Sequence, residues 1–136
     1  MESYILRVAT RMLVGLILVF SVYLLFRGHH DPGGGFAAAL VAGTGFSLFA
    51  ITEGTKVVKR SLRIKPLTCI ACGLLLAIAS GLPAVVNRLP FLTGMWWPAQ
   101  SANGAGAVGT PVVFDIGVFL VVLGVILILV LHLEEP

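Results

Sequence analysis

The sequence predicts an all-α integral membrane protein, a bundle of four transmembrane helices with both termini in the cytoplasm. Composition is the first observation behind this reading: 58% of the 136 residues are hydrophobic and 11% are charged, with a mean hydropathy of +1.05. A soluble globule carries about 25% charged residues, so this chain has too little polar surface to cover one. The second observation is the set of four apolar runs at residues 4–26, 36–52, 67–86 and 112–131, each near the roughly 20 residues that cross a hydrocarbon core. The third is that charges and turn residues are concentrated between these runs. Residues 1–136 therefore read as a single membrane domain. The net charge of +3 is modest, and its Lys and Arg read as membrane orientation, not as a nucleic-acid footprint. Two cysteines inside an apolar run cannot support a disulfide framework.

The first run is interrupted only near its start, by Arg7, Thr10 and Arg11. No small-x-small cleavage motif follows it, so it is expected to remain as a span and not to be removed as a signal peptide. Gly28 is placed to end it with a left-handed cap. The break that follows, His29-His30-Asp31-Pro32-Gly33-Gly34-Gly35-Phe36, specifies a bend and then a helix start. Proline fixes its backbone and gives up a donor, and successive glycines open conformations closed to other residues. Pro32, Gly33, Gly34, Gly35 and Phe36 are read as that structural turn.

In the second run Gly35, Ala39, Gly43 and Ser47 recur every four residues. One helix face is therefore nearly bare backbone, and in lipid such faces let helices approach closely. Residues 53–66 then carry Lys56, Lys59, Arg60, Arg63 and Lys65 against one acid. Several of these fall at helical spacing, consistent with a short helix on the bilayer surface. The plainer reading is a solvated basic loop that anchors orientation at the cytoplasmic face.

The third run contains Cys69, Cys72, Gly73, Ser80, Gly81 and Pro83, and a proline near its end is tolerated where other groups satisfy the freed carbonyl. Residues 87–111 mix Trp96 and Trp97 with a flexible Gly/Ala/Ser stretch, which suits an interfacial loop. The fourth run opens on Thr110-Pro111, a capping residue followed by proline. It carries Asp115 near its start and Gly117 and Gly124 on one face. With Ala39 and Gly43, these glycines are the candidate helix-packing residues.

Four spans place the termini and the basic segment on one side. That side collects Arg7, Arg11, Lys56, Lys59, Arg60, Arg63 and Lys65, against Arg27 and Arg88 on the other, so the positive-inside rule assigns it to the cytoplasm. Asp115 then shares the outer end with His29, His30 and Asp31, and these four are the candidates for an ion pathway. Acids within spans often mark such paths, and histidine titrates near neutrality. The competing reading is structural, with Asp115 complementing the positive end of a helix and the histidines merely solvated. No metal centre is expected, because three or four ligands must converge and His29, His30 and Asp31 are sequence neighbours. No cofactor and no catalytic residue are assigned. The Cys69-Ile70-Ala71-Cys72 pair admits a membrane thiol oxidoreductase, but an activating charge is missing and packing is the better reading. A small homodimeric drug exporter would need an acid in its first span, and residues 12–26 contain none.

The motif Gly28-His29-His30-Asp31-Pro32-Gly33-Gly34-Gly35-Phe36 and the segment Gly109-Thr110-Pro111-Val112-Val113-Phe114-Asp115-Ile116-Gly117-Val118-Phe119 together resemble the B subunit of the multisubunit Mrp-type (Mnh, Pha) sodium/proton antiporters of bacteria. The resemblance runs over nearly the whole chain. It implies an accessory subunit in the bacterial cytoplasmic membrane, partnered by other antiporter subunits, with Na⁺ and H⁺ as the transported ions and no enzyme activity of its own. Relatives in hydrogenase-like and complex I-like ion-pumping assemblies supply the alternative. The residues agree on one point: exchange needs ionisable groups along a path, and apart from groups near the span ends only Asp115 lies inside one. There is no sign of broken helices in inverted repeats.

Overall fold

The computed structural model describes residues 4–27, 34–88, 90, 96–97 and 108–133. The elements are α1 (Tyr4–Arg27), α2 (Gly35–Glu53), α3 (Thr55–Ser61), α4 (Pro66–Ala79), α5 (Leu82–Val86), β1 (Trp96–Trp97), β2 (Val108–Gly109) and α6 (Thr110–Leu133). Four stretches are long and apolar enough to cross a membrane: Tyr4–Phe26, Gly35–Glu53, Pro66–Val86 and Thr110–Leu133. The shortest has 19 residues, about 28 Å of helix at 1.5 Å per residue, which matches a hydrocarbon core of about 30 Å. Hydroxyls inside the spans turn back onto their own helices: Thr10 donates to Leu6 O at 2.8 Å, Ser21 to Leu18 O at 2.7 Å and Ser47 to Gly43 O at 2.8 Å. Their polarity is thereby satisfied without a partner in lipid.

The helices stand in the order α1, α2, α6, α4. α1 packs on α2, α2 on α6 and α6 on α4, while α1 only brushes α6. The four helices thus form an open row. Close approaches fix the directions. Gly45 of α2 meets Ile17 of α1, and Glu53 at the end of α2 meets Arg11 near the start of α1, so these two run antiparallel. Gly35 lies against Asp115 and Gly43 against Ile126, so α2 and α6 run parallel. Gly73 faces Gly117 and Ile70 faces Gly124, so α4 and α6 are antiparallel. Only about a fifth of the central window of α1, of the third span and of α6 is buried within the chain, against 39% for α2. The outer faces are left to lipid or to other proteins.

The third run is not one continuous helix. Pro83 has no N–H to donate, and the chain turns at Ser80 and Gly81 before α5 resumes. The turn satisfies itself: Ser80 N–H donates to Leu76 O at 3.0 Å, Gly81 N–H to Ile78 O at 3.1 Å, and Ser80 Oγ to Ala77 O at 2.6 Å. The basic segment is a helix over part of its length, where a solvated loop was the plainer expectation. Gly54 breaks the chain at φ +94°, and α3 then docks through Val58, which is fully buried with Ala50 and Leu131. Lys56, Lys59 and Arg60 face outward from it. Val58, with Leu62 packed beside it, sets this short amphipathic turn against the ends of α2 and α6. β1 and β2 form a two-residue antiparallel ladder, Trp96 opposite Gly109 and Trp97 opposite Val108, directly ahead of α6.

Candidate functional site

The polar groups gather at the two ends of the row. At one end α1 and α2 form a hairpin, closed by Gly34 N–H donating to Leu24 O at 3.3 Å. Gly34 adopts φ +109°, the left-handed region that favours glycine, and is buried with Gly35. α2 begins against α6 with almost no side chain between them. A Cβ on Gly35 would collide with the carbonyl oxygen of Asp115 and lie 3.2 Å from Phe119 N. The Asp115 carboxylate stands beside the same helix start, with Oδ2 3.8 Å from where a Cβ on Gly34 would be. A carboxylate there lies near the positive end of the α2 dipole. Asp115 itself is half-buried.

Of the other residues singled out in the sequence, Phe36 is 60% exposed. His29, His30, Asp31, Pro32 and Gly33 lie outside the described residues. Ala39 is fully buried on α2, and Gly43 is buried where Ile126 Cγ2 would come within 2.7 Å of an added Cβ. Gly117 and Gly124 of α6 are buried against α4. Among the described residues, no three His, Cys, Asp or Glu side chains converge as a metal site would require.

At the opposite end Glu53, the last residue of α2, has a side chain only 7% exposed and paired with two arginines of α1: Arg11 Nε at 3.0 Å and Arg7 Nε at 3.8 Å. Sequence reasoning missed this cluster, although a signal for it existed. Arg7 and Arg11 are four apart on one face of α1, and an up-down hairpin brings that face to the end of α2 where the lone acid sits. The guanidinium groups are about half exposed, so the pair contributes only about 1 kcal/mol after screening by water. Its larger effect is to fix the register of α1 against α2.

Sequence reasoning also passed over Gly73. A Cβ on Gly73 would lie 2.6 Å from Gly117 O, and one on Gly117 would lie 2.7 Å from Gly73 O and 2.8 Å from Ala77 N. The spacing of Gly73 and Ala77, small residues four apart, was the available signal. The two cysteines do not form a disulfide; Cys69 Sγ lies 3.5 Å from Leu120 O across the same seam, while Cys72 is exposed. Cys69 is thus part of the packing between α4 and α6.

The chain matches a family model described as a domain related to the MnhB subunit of the Na⁺/H⁺ antiporter, over residues 5–128. It is 34% identical over 135 residues to the B subunit of the Na⁺/H⁺ antiporter of Bacillus subtilis, covering 98% of this chain and 94% of that one. It is 37% identical over 121 residues to the A/B subunit of a probable K⁺/H⁺ antiporter of Rhizobium meliloti, covering 86% of this chain and 12% of that much longer one. A solved structure of the Mrp complex from Dietzia sp. DQ12-45-1b superposes with a TM-score of 0.80 at 33% identity, over 97% of this chain and 15% of the matched chain. An open row of four spans, with α2 starting against Asp115 and α6 held to α4 by facing glycines, is thus this chain's form of a known membrane domain, and the chain belongs to the family of domains related to the MnhB subunit of Na⁺/H⁺ antiporters.

Proposed function

We propose that this chain is an accessory membrane subunit of a multisubunit monovalent-cation/proton antiporter, serving assembly first and an ion pathway at its Asp115 end second. The observation that carries the reading is the match to the B subunit from Bacillus subtilis along nearly the full length of both chains. The likeness to an Mrp complex favours this over a hydrogenase-like or complex I-like assembly. Against a thiol oxidoreductase stands Cys69, which is engaged in helix packing. The transported ions are taken to be H⁺ and Na⁺, with K⁺ suggested only by the name of the Rhizobium relative. That relative also joins A and B in its name, which supports the A subunit as a neighbour of this chain.

The internal organisation supports an accessory role. Among the described residues, Asp115 is the one acid placed inside a span and not at its last residue. One half-buried carboxylate at a helix end is not a path across a bilayer, which needs ionisable groups in succession. Seven Lys and Arg at the Glu53 end, against Arg27 and Arg88 at the other, support cytoplasmic termini in a bacterial cell membrane. Asp115, with His29, His30 and Asp31 on the adjoining link, then sits at the outer face where an ion would enter or leave.

The test is Na⁺-dependent pH change in inverted membrane vesicles carrying the whole complex. Removing this chain is expected to abolish exchange. Asp115→Ala in a complex shown to be fully assembled is expected to lower exchange several-fold. Normal exchange by that assembled variant would leave Asp115 a structural residue only.

A further inference from the structure

Because α6 stands between α2 and α4, the link from α2 to α4 must cross the end of α6, and beneath this crossover lies a cavity of about 640 Å³. Small-molecule sites span about 300–1,000 Å³, so the space is large enough for a specific ligand. Its walls are apolar, with Leu67 from the first turn of α4 and Ile128 and Leu131 from the last turns of α6. Its rim is cationic, with Lys59 from α3 and Arg63 and Lys65 from the link, all three exposed. No carboxylate among the described residues lines it.

We propose that this cavity binds an anionic phospholipid, its phosphate held by Arg63 and Lys65 and an acyl chain lying on Leu67, Ile128 and Leu131. Charge complementarity selects an anion, and the apolar walls select an amphiphile. Inorganic phosphate would gain nothing from the three aliphatic side chains. The height of the groups fits as well. Leu67 and Ile128 belong to spanning helices, which places the walls at the hydrocarbon edge and the cations at headgroup level. Leu67 is 70% exposed within the chain, an apolar surface that an acyl chain would cover. Basic pockets between spans on the cytoplasmic side suit anionic headgroups, because that leaflet is negative and long cationic side chains reach its surface. The first turn of α4 adds the positive end of its own dipole.

The proposal rests on the placement of the basic segment at the cytoplasmic face of the membrane, and its test separates the two. The assembled complex is placed in phosphatidylcholine vesicles containing phosphatidylglycerol with a photoreactive group in its acyl chain, and labelled peptides are mapped by mass spectrometry. Label is expected on the first turn of α4 and the last turns of α6. Excess unlabelled phosphatidylglycerol should remove it, and neither phosphatidylcholine nor glycerol phosphate should. The double variant R63Q/K65Q should reduce that label at least about tenfold while leaving label on the exposed face of α1 unchanged. The charge-conserving pair Arg63→Lys with Lys65→Arg should retain it. Equal competition by phosphatidylcholine would overturn the proposal, as would displacement by glycerol phosphate alone. Absence of label because another subunit fills the cavity would also overturn it. Loss of label from α1 as well would overturn the membrane placement together with the site.

Discussion

The seam between α4 and α6 and the seam between α1 and α2 solve the same problem by opposite means. Between α4 and α6, glycine faces glycine: Gly73 and Gly117 each present open space to the other's carbonyl, and Gly124 does the same for Pro66 O, which would lie 2.9 Å from an added Cβ. Between α1 and α2 the close contact is with a side chain, Ile17 against Gly45, and the end is fastened by Arg11 and Glu53. In lipid the apolar surfaces of helices gain little by leaving their surroundings, so association depends on how closely atoms pack. A backbone seam packs closely but cannot yield. A side-chain seam is looser and can adjust.

The same added methyl group therefore has different consequences at the two seams. Gly117→Ala sets a carbon against the backbone of α4, which can only retreat as a whole, and is expected to cost about 3 kcal/mol. A sharp fall in the amount of the chain co-purifying with the complex checks this. At the α1–α2 seam, Gly45→Ala brings a carbon to 3.0 Å from Ile17 Cγ2, a contact that a shift of a few tenths of an ångström relieves, so about 1 kcal/mol is expected. The readout is a small drop in the thermal denaturation temperature of the complex with normal assembly. Glu53→Gln should have the smallest effect, about 0.5–1 kcal/mol, because its arginines remain half exposed to water. Increased proteolysis near the start of α1 is the measurement for that variant. If Gly117→Ala and Gly45→Ala proved equally mild, the contrast between rigid and yielding seams would fail.

Much of the architecture was legible in the sequence because hydropathy and small-residue spacing are local properties. The four runs announce four spans, and the repeat through Gly35, Ala39 and Gly43 announces a helix face that a neighbour can approach closely. What local patterns do not contain is the identity of that neighbour. Nothing in α2 alone says that its bare face meets α6 and not α4, so a closed bundle and an open row read alike. The break at Ser80 and Gly81 was visible only as a proline near a span end, since hydropathy is blind to backbone hydrogen bonding. The docking of α3 depended on Val58, an apolar residue in a basic run whose charges dominate any composition-based reading. Asp115 stood out at once as an acid inside an apolar span, but its nearness to Gly34 required knowing that α2 and α6 are adjacent and parallel.

The difference between the seams also bears on function. A row whose tightest contacts lie inside the chain, and whose outer faces are apolar and uncovered, is built to be one wall of something larger. The most direct test is the Na⁺-dependent pH change in inverted vesicles from cells that express every other component of the antiporter and lack only this chain. The expected result is no exchange, restored when the chain is supplied from a separate gene. Normal exchange without it would contradict its place as a required part of the assembly.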